Sequence, residues 1–349
     1  MEHVTVYRNE SEFSSWPFNA GMWKIADDNV LVAFMNIRCD YTIPLNLKHN
    51  RVETFGRIAA VRSADGGQTW SRAADIADNI EVADLLKHGR EEAYREPFDF
   101  ADPNVLLSCW TTPSSGDPAA KAWIKMSADG GASWGPAVRL PECSIPRFQG
   151  RPSYVVRPDG VILLFLTARP TANPYDRPVV YSSSDGGCTW ALMSYMPASG
   201  EYRMICPSPV VLPDGTIVVA VRCKPSMEAA WDEIYVSNDG GWSWRFVSRV
   251  NDHGDTAHLT RLKDGRLFIV YGYRRPPYGI RARISEDAGN TWGPEMVLRD
   301  DGGSRDLGYP RAVELDGGRI LATYYFNDRH DPIQMNGGVR YIAGTILEV

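Results

Sequence analysis

The sequence predicts an all-β chain folded as a six-bladed β-propeller of four-stranded antiparallel blades. Two recurring turn signals and the composition predict it. The pattern Ser-x-Asp-x-Gly-x-Thr/Ser-Trp occurs five times, at Ser63–Trp70, Ser127–Trp134, Ser183–Trp190, Ser237–Trp244 and Ser285–Trp292. Self-similarity at intervals of tens of residues marks an array of one repeated unit. Between these copies, apolar runs are split by Asp-Gly turns at Arg157–Gly160, Leu212–Gly215 and Leu262–Gly265, and by Asp316-Gly317-Gly318. Asp-Gly between apolar runs is a hairpin signal. With 31 Gly, 24 Pro and 11 Trp, the composition suits short strands joined by tight turns.

Each repeat then reads in order. The Asp-Gly hairpin joins strands one and two, a longer segment leads to strand three, and the eight-residue turn leads to strand four. In that turn Asp accepts hydrogen bonds from backbone N–H groups, Gly takes the positive-φ position, and Trp packs back on the sheet. These turns are therefore expected to be structural. Weaker hairpins at Asp27-Asp28-Asn29 and Ala101-Asp102-Pro103-Asn104 bring the blades to six. After the last hairpin only one strand remains, Gly338–Val349, with no further copy of the turn. The N-terminal run Val4–Tyr7 is expected to supply the missing outer strand, so that residues 1–349 form one propeller closed by their own N-terminus. One short helix is expected over Ile80–Arg95, leading into blade two.

The net charge of -6 and pI near 5.6 argue against a nucleic-acid partner. No apolar run is long enough to span a membrane. Met1–Thr5 does not open a secretion signal, which leaves a cytoplasmic protein or a secreted one with its signal removed. The six cysteines lack a Cys-x-x-Cys and are expected to be mostly buried thiols.

Up-and-down blades put the one–two hairpin and the three–four turn on one face. The opposite rim carries the longer loops, where function concentrates. It gathers Arg38, Asp40 and His49 from blade one, and Arg151 from blade three. Arg222 comes from blade four, with His253, Asp255, His258 and Arg275 from blade five. Blade six adds Asp306, Tyr309 and Arg311. So many arginines in an acidic chain imply an anionic ligand, held bidentately through carboxylate or sulfate oxygens. The segment Asn251–His258 matches no zinc pattern, so no metal or other cofactor is expected.

The five turns resemble the Asp-box (BNR) repeats of the sialidase (neuraminidase) superfamily of six-bladed propellers, and the resemblance covers nearly the whole chain. It implies a glycoside hydrolase that binds a sugar carboxylate with arginines, uses an Asp as general acid, and uses a Tyr as nucleophile. A tyrosine suits a reacting carbon that bears a carboxylate, because a carboxylate nucleophile would be repelled. Gly308-Tyr309-Pro310-Arg311-Ala312-Val313 resembles the nucleophile segment and places Tyr309 in that role. Pro207–Gly215 through Arg222 resembles the segment ending in a carboxylate-binding arginine. Ala33–Asp40 resembles the segment before the acid, with Arg38 and Asp40 as counterparts. The sequence departs from the family where a first arginine is expected, at Gly21-Met22-Trp23-Lys24. It departs again at Cys206, where the tyrosine's glutamate partner would fall, and Asp255 or Asp306 is the replacement available. The family's third arginine has no clean match, since Arg274, Arg275 and Arg281 straddle the place; the remaining substrate contacts are assigned to Arg151, Arg275, Arg311, His49 and His258, with His253 a further catalytic candidate.

The expected function is exo-hydrolysis of a terminal, acidic sugar of a glycan. Two alternatives stay open. One is a lyase on uronic-acid glycans, in which a His or Tyr abstracts a proton next to the carboxylate. The other is a propeller that binds carbohydrate or protein without catalysis.

Overall fold

The computed structural model describes all residues except 27, 46–51, 53–55, 79–83, 85–92, 114–116, 118, 171–173 and 199. The described chain is almost entirely β, in six antiparallel blades arranged as a propeller. Blades three to five are uninterrupted meanders. They are β10 (Arg147–Val156) to β13 (Ala191–Tyr195), β14 (Arg203–Val211) to β17 (Arg245–Arg249), and β18 (Asp255–Arg261) to β21 (Met296–Arg299). Their second and third strands are β11 (Ile162–Arg169) and β12 (Arg177–Ser183), β15 (Ile217–Lys224) and β16 (Trp231–Ser237), and β19 (Leu267–Tyr273) and β20 (Gly279–Ser285). Blade six runs β22 (Gly308–Glu314), β23 (Arg319–Phe326), β24 (Tyr341–Glu348) and then β1 (Glu2–Tyr7), which pairs antiparallel with β24 from Glu2↔Ile346 to Tyr7↔Ile342.

Blades one and two depart from the regular pattern. The inner strand of blade one is broken into β2 (Glu12–Ser15) and β3 (Gly21–Ala26), both paired to β4 (Asn29–Arg38), with a one-turn helix α1 (Pro17–Ala20) between them. No sequence signal announces α1. Blade one ends with β5 (Arg57–Ser63) and β6 (Ser71–Arg72). Blade two has three described strands, β7 (Leu106–Thr112), β8 (Lys121–Ser127) and β9 (Val138–Arg139). The segment before the Ala101–Asn104 turn is not a strand. The helix expected over Ile80–Arg95 falls almost wholly outside the described residues, as does His49.

Both turn signals form as their chemistry requires. In the Asp-Gly hairpins Gly160, Gly215 and Gly265 have φ of 81°, 86° and 96°, and each hairpin is closed by a bond such as Leu212 N to Thr216 O at 2.8 Å. In the eight-residue turns Asp239 Oδ1 accepts from the N–H of Trp242 and Ser243 at 3.1 and 2.9 Å, and its Oδ2 takes the Ser243 hydroxyl. These bonds to Ser243, with Ser237, hold the Asp239 carboxyl down at about 2. The two turn types share one face, because Gly130 N bonds Asn104 O, Gly66 N bonds Asp28 O, and Arg157 reaches Gly240 O in the next blade.

An apolar cluster fills each junction between neighbouring blades. Val6, Phe34 and Leu321 join blade six to blade one, Leu31 and Trp110 join one to two, and Phe148 and Ile124 join two to three. Leu163 and Tyr235 join three to four, Val218 and Leu259 four to five, and Phe268 and Tyr324 five to six. Every blade is therefore sandwiched, and the ring leaves no broad sheet face uncovered among the described residues. Cys39, Cys109, Cys206 and Cys223 are buried free thiols.

Candidate functional site

The inner strands of blades three to six carry one common irregularity. The pairing register slips near the rim end of β10, β14, β18 and β22. At each slip a non-glycine residue takes positive φ: Arg151 (60°), Cys206 (56°), Thr256 (38°) and Tyr309 (48°). Trp16, at the break between β2 and α1, has φ 53°. Left-handed backbone costs about 1–3 kcal/mol at each such residue, and most for a β-branched one such as Thr256. Each bulge turns a side chain off the alternating pattern, and three of these side chains meet. The Cys206 thiol lies 3.5 Å from the Thr256 hydroxyl. Arg222 Nη1 donates to Thr256 Oγ1 at 3.2 Å and to the Tyr309 hydroxyl at 3.4 Å. Trp16 and Tyr325 flank the Tyr309 ring, with centroids 6.3 and 6.1 Å away.

The charges around Tyr309 are buried and interlocked. Asp255 pairs with Arg222 and, at 3.4 Å, with Arg274, whose guanidinium lies 5.3 Å from the Tyr309 ring centroid. Burial pushes the Asp255 carboxyl up, but the charges of Arg222, Arg274 and Lys224 outweigh it, and the carboxyl is held below its ordinary value. Arg274 also donates to the Tyr325 hydroxyl at 3.0 Å, which donates to Asp306 at 2.8 Å; Asp306 in turn pairs with Arg340 at 3.2 Å. A continuous polar chain thus runs along the rim from blade six to blade four, with Tyr309 at its centre.

Of the residues singled out from sequence, Tyr309, Arg222, Asp255 and Asp306 belong to this assembly. Neither carboxylate hydrogen-bonds the Tyr309 hydroxyl: Asp255 is held by two arginines, Asp306 by Tyr325 and Arg340. Asp40 and Arg38 lie exposed at the rim end of β4. The Thr42 hydroxyl and N–H both donate to Asp40 Oδ1, at 2.7 and 2.8 Å, and hold that carboxyl below its ordinary value, so it is ionised at neutral pH. Arg151 donates to Gln149 O at 2.7 Å beside its own bulge. Arg275 is exposed and reaches Glu228 O at 3.2 Å, while His253 is exposed on the loop before β18.

Arg311 and His258 lie apart from the Tyr309 assembly, farther along their strands toward the turn face. Arg311 stacks on Phe18 and donates to Phe18 O, Pro152 O and Ser153 Oγ; burial lowers it to about 10. The His258 ring accepts from Ala312 N–H at 3.1 Å, and burial together with Arg311 keeps the imidazole neutral. Both line a cavity of about 660 Å³, which is bordered by Trp23, Tyr154 and Pro209 and lies toward the turn face. Arg311's donors are already spent on protein oxygens and His258 is neutral, so neither of these two offers the cavity a poised charge. Tyr309 does not line it.

Arg274 and Lys224 matter more to the assembly than Arg275, and strand alternation is the signal that finds them. Arg274 continues the Phe268, Val270, Gly272 face toward blade six, and Lys224 continues the Val218, Ala220, Arg222 face toward blade five.

Residues 58–321 match the family model described as the BNR repeat-like domain. The chain belongs to this family. No curated protein matches it by sequence. Among solved structures, this BNR-family chain is similar to a protein of unknown function from Dyadobacter fermentans DSM 18053, at 26% identity and TM-score 0.78, covering 100% of this chain and 98% of that one. It is similar in fold to the Penicillium chrysogenum alpha-L-arabinanase, at 12% identity and TM-score 0.68, covering 100% and 98%. It is also similar in fold to the Hadza microbial sialidase Hz136, at 14% identity and TM-score 0.66, covering 99% and 68%. The chain shares its overall fold with these structures.

Proposed function

We propose that this protein is an exo-acting glycoside hydrolase on a terminal acidic sugar, with Tyr309 as its nucleophile. One observation carries the reading. The Tyr309 hydroxyl is held at the rim end of the inner strands, 3.4 Å from the Arg222 guanidinium, with Arg274 over its ring. A free phenol near pKa 10 is a weak nucleophile, and flanking cations stabilise its phenolate. The same cations attract a sugar carboxylate to the carbon that reacts. The arabinanase and the sialidase of similar fold are glycosidases by name, which supports the reaction class.

In this reading the Tyr309 phenolate, its proton given up to solvent, bonds through Oη to the anomeric carbon as the glycosidic C–O bond breaks, and the departing oxygen takes a proton from an acid at the rim. Water then displaces the tyrosine and returns a proton to the acid. Asp40 is the acid that the resemblance supplies. Thr42 keeps it ionised in the free protein, so for this role its carboxyl must be raised by desolvation when substrate covers it.

A second reading is favoured because, among the described residues, no carboxylate bonds the Tyr309 hydroxyl. A cation-flanked phenolate could instead abstract the proton beside a uronate carboxylate, with elimination of the glycosidic oxygen. A panel of aryl sialosides, uronides and neutral glycosides tests both. Aryl release from an acidic glycoside, with no new near-ultraviolet absorbance from the sugar, supports hydrolysis. An unsaturated product absorbing in the near ultraviolet replaces it with the lyase. Turnover confined to neutral glycosides contradicts the acidic substrate.

A further inference from the structure

Lys224 is the last residue of β15, and its side chain is largely buried, 8% exposed. It shares the blade-five face of β15 with Arg222. Among the described residues no carboxylate or other acceptor bonds its amine. The groups whose charge it senses are Arg222 on its own strand, Asp255 on β18, Arg274 after β19 and Arg305 on the loop before β22. Arg203, opposite it on β14, is occupied by Asp176, and Asp232, opposite Arg222 on β16, accepts from Asn251 through Oδ2 alone. Arg305 is exposed and donates to Met227 O. Asp255 is already shared by two arginines, and Asp232, the other buried carboxyl coupled to Arg222, is raised to about 7 by burial. A buried ammonium without an acceptor is unfavourable unless something anionic arrives.

We propose that Lys224 is a third cationic ligand, beside Arg222 and Arg274, for an anionic oxygen group on the sugar. The proposal rests on the reading of this rim as the substrate site and specifies its ligand chemistry: a carboxylate or a sulfate ester. Burial first, then Arg222, Arg274 and Arg305 against Asp255, bring the free amine down to about 7. A bound anion supplies the missing counter-charge and favours the ammonium, so binding takes up a proton. Affinity therefore tightens as pH falls through that region.

The test is calorimetric binding of free glucuronate, glucose 6-sulfate and glucose, at about pH 6 and about pH 8.5, in buffers of different ionisation enthalpy. Binding needs no turnover, so it succeeds or fails independently of Tyr309 chemistry. The expected result is about tenfold or tighter binding of an anionic sugar at the lower pH, with proton uptake. Glucuronate alone binding in this way assigns a carboxylate; glucose 6-sulfate alone assigns a sulfate ester. Lys224→Met should weaken the anion and abolish both pH dependence and uptake. Lys224→Arg should retain affinity and lose the pH dependence. Proton-free, pH-independent binding by the native protein overturns the proposal. So does glucose binding as tightly as the acids, a Lys224→Met protein that keeps the native pH profile, or no binding of either acid.

Discussion

Arg222 Nη1 lies 3.4 Å from the Tyr309 hydroxyl, while the other terminal nitrogen of the same guanidinium pairs with Asp255. One arginine therefore joins the Tyr309 phenol to a buried carboxylate that itself never touches it. In the proposed mechanism Asp255 acts on the tyrosine through Arg222 and Arg274, as a positioning residue. The glutamate expected beside a nucleophilic tyrosine is replaced locally by Cys206 and Thr256, whose contact is only 3.5 Å thiol to hydroxyl.

Asp255→Asn should leave two buried guanidinium groups without their counter-charge. Breaking a buried pair by removing one partner costs about 3–5 kcal/mol. Chemical denaturation should show a loss of that order at neutral pH. A variant as stable as the native protein would mean that Arg222 and Arg274 find other acceptors.

Asp232 gives a pH prediction. Burial, the largest influence, raises its carboxyl from 3.8 to about 7, against the Asn251 hydrogen bond and the Arg222 charge. Between those two values the folded protein holds a proton that the unfolded chain has lost. Stability therefore falls as pH rises across that window, and the full penalty remains above it. Asp232→Asn should raise the melting temperature at about pH 8 more than at about pH 5. An equal effect at both pH values would show that the native carboxyl is ionised throughout.

Removing residues 1–10 strips β1 from β24 and withdraws Val6, 3% exposed, from the junction of blades six and one. The unpaired edge and lost burial should lower the melting temperature by roughly 5 °C or more. An unchanged melt would refute the role of β1 in closing the ring.

Asp239→Ala removes four hydrogen bonds from an exposed turn. Exposure lets water replace part of the loss, so the expected cost is about 1 kcal/mol. The turn lies on the face away from Tyr309, so KM and kcat on any confirmed substrate should stay near native. A stable but inactive variant would reverse the assignment of faces.

The propeller is legible because its signals are local and repeated. Asp-Gly and Ser-x-Asp-x-Gly each specify a turn by their own hydrogen bonds, whatever packs around them. The irregular parts are not legible for the opposite reason. Helix α1 is only one turn, interrupts a strand, and starts at Trp16 with φ 53°, a conformation its sequence does not favour. In the site, Tyr309, Arg222 and Asp255 can be read because they stand at rim ends of inner or second strands. Arg311 and His258 stand two or three residues farther along their strands, enough to carry them toward the turn-side cavity. Arg274 is distinguished from Arg275 only when strand alternation is carried past the end of β19. No sequence pattern marks the left-handed bulges at Cys206 and Thr256.

The central claim is that the Tyr309 hydroxyl does chemistry, and Tyr309→Phe tests it most directly. The ring keeps its contacts with Trp16, Tyr325 and Arg274, so folding and binding should persist. On the best acidic aryl glycoside, kcat should fall by about a thousandfold or more while KM changes only a few-fold. A Tyr309→Phe variant that turns over at near-native kcat would contradict the catalytic role and the mechanism built on it.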